Sequence, residues 1–212
     1  MRFLLCVLII LSSISVRSQD ERVFRELLTH KIQEDKERSR KPEYDYKARG
    51  HRYYLDLNGD ELPESFFISK KDGGDWLELF DRAGEKIYDY KFDTIGSWSR
   101  VFKLQMRNIS GEAKLVILYF YEGITRYVNF QGTARVYFLT WDNNDLSTLS
   151  MYKGPYVWDE KRDFRNHYHQ RKFELSMFDF DDDYTREIAI RYGSITRVYK
   201  YMGKGKWGSY TR

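Results

Sequence analysis

A single cysteine, Cys6, serves the whole chain, and proline is almost as scarce, with three in 212 residues. The shortage of thiols excludes a good deal. Cys6 lies in an N-terminal apolar run that reads as a removable leader. The rest of the chain then has no disulfide, no thiol nucleophile and no thiolate ligand for a metal. A small exported domain without disulfides needs another staple, either a generous core or bound metal ions. Scarce proline leaves strands free to run without interruption.

An excess of charge of one sign is also missing. The 36 basic side chains face 32 acidic ones, a formal net charge of +4. Arg2 and Arg17 leave with the leader, which reduces the balance to +2. No long run of one sign occurs, so nucleic-acid binding has no compositional support. A Walker loop, a G-x-S-x-G elbow and an H-E-x-x-H helix are absent too. Carboxylates abound, but no spacing singles out a glycosidase-like pair.

The chain has no apolar run approaching the roughly 20 residues of a spanning helix. Its longest, Phe3 to Leu11, follows Arg2 and precedes small residues, and Val16 and Ser18 satisfy a small-residue cleavage rule. Residues 1–18 are therefore expected to be a signal peptide cut after Ser18. The expected location is exported, periplasmic or extracellular, with no transmembrane segment after cleavage.

Aromatic residues, in contrast, are plentiful, at 17% with 18 Tyr and 14 Phe. They fit a pleated, half-buried surface and favour strands. Residues 19–51 are expected to be a helix and a linker. Phe24, Leu28 and Ile32 recur every four residues over 20–38, beside Val23 and Leu27, and Glu21/Arg25 support the charged face. A polar linker or extended arm follows.

From residue 52 to 212 the pattern is that of a β-repeat domain. Eleven short runs, from RYYLD and SFFIS to TRVYKY and KWGSYT, alternate with turn signals such as Asp72-Gly73-Gly74 and Gly203-Lys204-Gly205. Two stretches look alike, one starting at Asp56 and one at Asp179, and a weaker copy begins at Met106. Each has an acidic loop, a strand, a turn, a second strand with an aromatic, and a Gly turn. Repeats of this length are typical of propeller blades.

The loops carry the chemistry. Asp56, Asn58, Asp60 and Glu64 stand at positions one, three, five and nine, and Asp179, Asp181, Asp183 and Glu187 share those offsets. Alternating side chains in a tight loop can turn inward to one point, and position seven, Leu62 or Thr185, can add a backbone carbonyl. Calcium wants six to eight such oxygens. The plainer alternative is a pair of solvated, metal-free acidic turns.

These units resemble the FG-GAP and VCBS family of β-propeller repeats, whose blades carry a D-x-D-x-D-G-x-x-D loop before a hydrophobic strand. TRVYKYMGKGKW resembles the later half of such a blade. The resemblance implies calcium held by Asp56, Asn58, Asp60, Leu62 and Glu64, and by Asp179, Asp181, Asp183, Thr185 and Glu187. The family's Gly at position six is Glu61 in one loop and Tyr184 in the other, and its final Asp is Glu in both. The middle copy has Lys114 at position nine, which argues against a cation there.

The expected fold is all-β with one N-terminal helix. Its blade-like antiparallel repeats would form a small or incomplete propeller or, alternatively, a β-sandwich. The expected function is an exported calcium-binding module that recognises a protein or a glycan, or acts as a scaffold. A hydrolase using carboxylates or the His167/His169 pair is the alternative. A small outer-membrane barrel fits poorly, because nearly every strand carries charge. Asn108-Ile109-Ser110 is a glycosylation sequon in a eukaryotic secretory path only. Trp158, after Gly154-Pro155, is the tryptophan expected to be exposed.

Overall fold

The computed structural model describes residues 44–47, 52–126 and 129–211. The expected signal peptide, the helix over 20–38, His30 and His51 lie outside the described residues. The regular structure among the described residues is strand, apart from one short 3-10 turn at Leu146–Thr148. In chain order the strands are β1 (Tyr44–Lys47), β2 (Arg52–Leu55), β3 (Glu64–Lys71), β4 (Gly74–Phe80), β5 (Lys86–Lys91), β6 (Trp98–Asn108) and β7 (Ala113–Arg126). They continue as β8 (Asn129–Asp142), β9 (Ser150–Arg162), β10 (Tyr168–Lys172), β11 (Glu174–Phe178), β12 (Glu187–Tyr192), β13 (Ile195–Tyr201) and β14 (Trp207–Thr211).

The strands form three antiparallel sheets, ordered β2-β3-β4-β5, β1-β6-β7-β8-β9-β10 and β11-β12-β13-β14, and none closes on itself. Short turns dictate this meander. Asp72 and Gly73, for example, both adopt positive φ (51° and 68°) and join the paired residues Lys71 and Gly74. That two-residue turn matches the twist of its strands.

Period-two alternation explains how the sheets pack. In β7, Val116, Leu118 and Phe120 join one core with Leu55, Phe66, Leu77 and Leu79 of the N-terminal sheet. Leu115 and Ile117, pointing the other way, join a second core with Met177, Ile188, Ile190 and Tyr199 of the C-terminal sheet. β8 divides in the same manner, Tyr137, Leu139 and Trp141 against Ala134, Val136 and Phe138. The middle sheet is thus buried on both faces along β7 and β8. A two-sheet sandwich would leave one of those faces in water, so the sandwich alternative gives way to three sheets with two cores.

The eleven expected strands are all present, and three more join them. β1 lies in the stretch read as a linker or arm and pairs with β6 through Tyr44↔Met106. β9 contains the Gly154-Pro155 pair that reads as a turn. Pro155 is tolerated because β10 pairs only with Trp158 to Arg162, which leaves the proline on an open edge. Gly154 is needed because a Cβ there would stand 2.8 Å from the Val136 carbonyl oxygen, beside a register shift between β8 and β9.

Trp158 is half-buried against the second core, contrary to the expectation of an exposed ring. Trp98 is the exposed tryptophan, at 39%. Trp141 is fully buried.

Burial on both faces has a measurable consequence. Ile117→Ala and Leu118→Ala, neighbours in β7 facing opposite cores, should each lower stability by about 2–5 kcal/mol in urea denaturation. In a two-layer structure one of the two would be nearly silent.

Candidate functional site

The two acidic loops are the same object built twice. Each has eight residues between strands, 56–63 joining β2 to β3 and 179–186 joining β11 to β12. Each closes on an equivalent pair, Leu55↔Glu64 and Phe178↔Glu187. The position-six N–H, from Glu61 or Tyr184, donates to the position-one carboxylate at 3.1 and 3.0 Å. The position-seven N–H, from Leu62 or Thr185, donates to the position-five carboxylate at 2.8 Å in both loops. The position-two N–H, from Leu57 or Phe180, donates to the glutamate at position nine, again at 2.8 Å.

The backbone follows suit. Positions four and six take positive φ in both loops, Gly59 (81°) and Glu61 (66°) in one, Asp182 (58°) and Tyr184 (65°) in the other. Position six is where the family pattern has Gly. The loop therefore keeps the left-handed conformation without the residue that adopts it at least cost.

Charge is balanced differently in the two loops. In the first, the position-three residue is an amide, and Asn58 Nδ2 donates to Asp60 Oδ2 at 3.0 Å. In the second, position three is Asp181, and a lysine enters. Lys200 Nζ, from β13, lies 2.6 Å from both Asp181 Oδ2 and Asp183 Oδ2 and 3.3 Å from Glu187 Oε1. The last contact is in ion-pair range but outside hydrogen-bond geometry, which leaves Glu187 Oε1 buried without a hydrogen bond.

Asp179, Asp181 and Glu187 each offer an oxygen within 4.8 Å of the others, as no other three acidic, histidine or cysteine side chains do among the described residues. The first loop does not draw Asp56, Asp60 and Glu64 together to that extent.

Both glutamates are out of water, Glu64 at 4% exposure and Glu187 at 0%. Burial pushes both carboxyls above the ordinary value, opposed in each case by the N–H of position two. Asp60 and Asp56 add to the rise at Glu64, and Asp181 adds to it at Glu187, where Lys200 pulls the other way. The Lys200 ammonium is held well above its usual range by hydrogen bonds to Asp181 and Asp183, and Asp183 is held low chiefly by the same lysine.

Both loops are fastened to the same end of the middle sheet. The Leu57 carbonyl accepts from Lys114 Nζ and Trp141 Nε1, both at 3.0 Å. Arg186 N–H donates to the Ile109 carbonyl at 2.8 Å, and its guanidinium donates to the Asn108 carbonyl at 3.2 Å. Lys114, the residue that argues against a cation in the middle copy, is thus a buried clamp on the first loop.

Lys200 escapes a motif search because it stands in a strand, 13 residues past Glu187. The signal was in the hairpin register. Tyr192↔Ile195 and Ile188↔Tyr199 place Lys200 across from Glu187. His167 and His169 sit on the exposed β9–β10 hairpin, with His167 Nδ1 3.4 Å from Asp163. They bring no third metal ligand with them among the described residues.

Compared with known protein families, curated proteins and solved structures, the chain matches none of them.

Two outcomes are expected. Tyr184 is 79% exposed, so Tyr184→Gly loses little packing and relieves a left-handed φ. It should leave stability unchanged or raise it by up to about 1 kcal/mol in thermal melts.

Lys200→Met should destabilise the fold by roughly 1–3 kcal/mol at neutral pH, a figure reduced for the partial exposure of Asp181 and Asp183. The sign with pH follows from the carboxylates. Glu187 has a folded value above the ordinary 4.5, and losing the ammonium raises it further. Stability of the variant should then fall as pH rises through that raised value, and the gap to wild type should narrow as the pH is lowered towards the ordinary 4.5 and the glutamate takes a proton. Denaturation at matched pH values measures both effects.

Proposed function

We propose that this protein is an exported, calcium-stabilised β-repeat module that acts by binding, as a recognition or scaffold element for a protein or a glycan. The observation that carries the reading is the duplicated loop. Two eight-residue connections share length, register and hydrogen bonds around a glutamate that is buried at a cost. Such a carboxylate asks for a cation beside it.

The residues fit a hard divalent ion in kind. Asp179, Asp181, Asp183 and Glu187 supply oxygen donors only, with the bare Glu187 Oε1 turned into the group. Calcium would neutralise these oxygens and tie the loop to the first residue of β12. Asp56, Asn58, Asp60 and Glu64 offer the equivalent set in the first loop, and the resemblance adds the carbonyls of Leu62 and Thr185. In the second loop the Lys200 ammonium takes the place that an ion would need. At 29% side-chain exposure it has solvent to swing into. Calcium binding there competes with an intramolecular cation, while in the first loop the Asn58 amide stands between the acids and the Lys114 ammonium is held at the Leu57 carbonyl.

On this reading the three sheets are successive blades of an incomplete propeller, and export rests on residues 1–18. Among the described residues no helix is long and apolar enough to cross a membrane. The hydrolase alternative draws no support from the exposed histidines.

Calorimetric titration with calcium, paired with melting in calcium and in chelator, tests the proposal. Binding should stabilise by about 2.7 kcal/mol at a hundred-fold excess over Kd. Asp56→Asn/Asp60→Asn should remove the first loop's share, and Lys200→Met should raise affinity at the second. No heat and no change in melting temperature, in wild type and in Lys200→Met alike, would overturn the calcium reading.

A further inference from the structure

The end of the middle sheet opposite the acidic loops is basic. β9 and β10 extend there as a hairpin whose turn is firmly built. Asp163 Oδ1 accepts from the N–H groups of Arg165 and His167, each at 2.9 Å. Asp163 N–H donates to the His167 carbonyl, and Asn166 N–H to the Asp163 carbonyl, each at 3.0 Å. Asn166 supplies the positive φ, 63°. This frame holds Phe164 at the apex, 67% exposed, with the Arg165 guanidinium 5.3 Å from its ring centre.

The paired hairpin, residues 158–172, carries Lys161, Arg162, Arg165, Arg171 and Lys172 against Asp159, Glu160 and Asp163, a balance of +2, and around the apex Lys161, Arg162 and Arg165 stand with one carboxylate, Asp163. All five cations are exposed, and among the described residues none of them is ion-paired with a carboxylate. Charge on an edge strand such as β10 blocks edge-to-edge aggregation, but either sign does that and a protruding phenylalanine works against it.

The order along the hairpin narrows the partner further. The apex presents one exposed apolar ring flanked by the Arg165 guanidinium, with Lys161 and Arg162 just behind it and Arg171 and Lys172 further along β10. A neutral sugar would cover the ring and leave the cations without a partner. A bilayer supplies apolar surroundings for the ring and, one layer out, phosphates for the cations. We infer that the β9–β10 hairpin docks this protein on an anionic lipid bilayer. Phe164 enters the acyl boundary while Lys161, Arg162, Arg165, Arg171 and Lys172 meet lipid phosphates. Nothing in this depends on calcium in the acidic loops.

Co-sedimentation with vesicles in chelator tests it, using phosphatidylcholine alone and phosphatidylcholine mixed with phosphatidylglycerol. Wild type and variants carry the same N-terminal sequence, so any contribution from residues 1–18 is common to all. Wild type should bind the anionic vesicles, bind the neutral ones weakly, and be released by salt. Each cation removed should lower partitioning about five-fold, so Lys161→Gln/Arg162→Gln/Arg165→Gln should lose on the order of a hundred-fold.

Phe164→Ser should weaken binding to anionic vesicles as well. These side chains are exposed, and unchanged melting temperatures will verify that the variants fold. Equal binding to both vesicle types, wild-type binding by the triple variant, or binding to soluble polygalacturonate without binding to vesicles would each overturn the inference.

Discussion

The central strands of the middle sheet, β7 and β8, have no solvent face, and the rest of the architecture answers to that. Leu115 and Ile117 point to one side of β7, Val116, Leu118 and Phe120 to the other, and all are shut off from water. A strand of this kind needs a layer on each side. The chain provides one before it and one after it, each a four-stranded meander. The acidic loops are the places where these covering sheets are hooked to the sheet they cover. Leu57 receives Lys114 and Trp141, and Arg186 reaches Ile109 and Asn108.

Glutamate at position nine is costly in such a place. Glu64 and Glu187 are the first residues of their strands, and both are buried. Each carboxylate accepts the N–H of position two, a donor that an apolar residue would leave unsatisfied, so its charge has to be accommodated in the fold. The loops then diverge in how they manage it. The first dilutes its charge with Asn58, and the second, with Asp181 in the same position, recruits Lys200 from across the hairpin. One backbone geometry thus carries two different arrangements of charge.

Much of this was readable along the chain. The eleven expected strands are in place because their aromatic and β-branched residues are bounded by Gly turns of defined type. β9 was hidden because Gly154-Pro155 is a turn signal wherever both neighbours of a strand are present. Here the proline lies on an open edge and the glycine lies against the Val136 carbonyl. β10 was hidden because its five residues are all exposed, so it has no apolar alternation to detect. Trp158 and Trp98 exchanged their expected environments for a similar reason. Which tryptophan is covered depends on how far the C-terminal sheet reaches over the middle one, and no local pattern records that.

The sequence by itself determined the all-β class, the turns, and the two loops with their shared offsets, because those follow from local steric preference and from spacing within a few residues. Only the tertiary structure decided that the sheets number three, that both loops are clamped to one end of the middle sheet, and that the β9–β10 hairpin stands at the other. It also set Lys200 among the carboxylates of the second loop. The physical reason is the same in each case. Burial and electrostatics act between residues that strand pairing and sheet packing bring together, at separations such as the 57 residues between Leu57 and Lys114, which no local window spans.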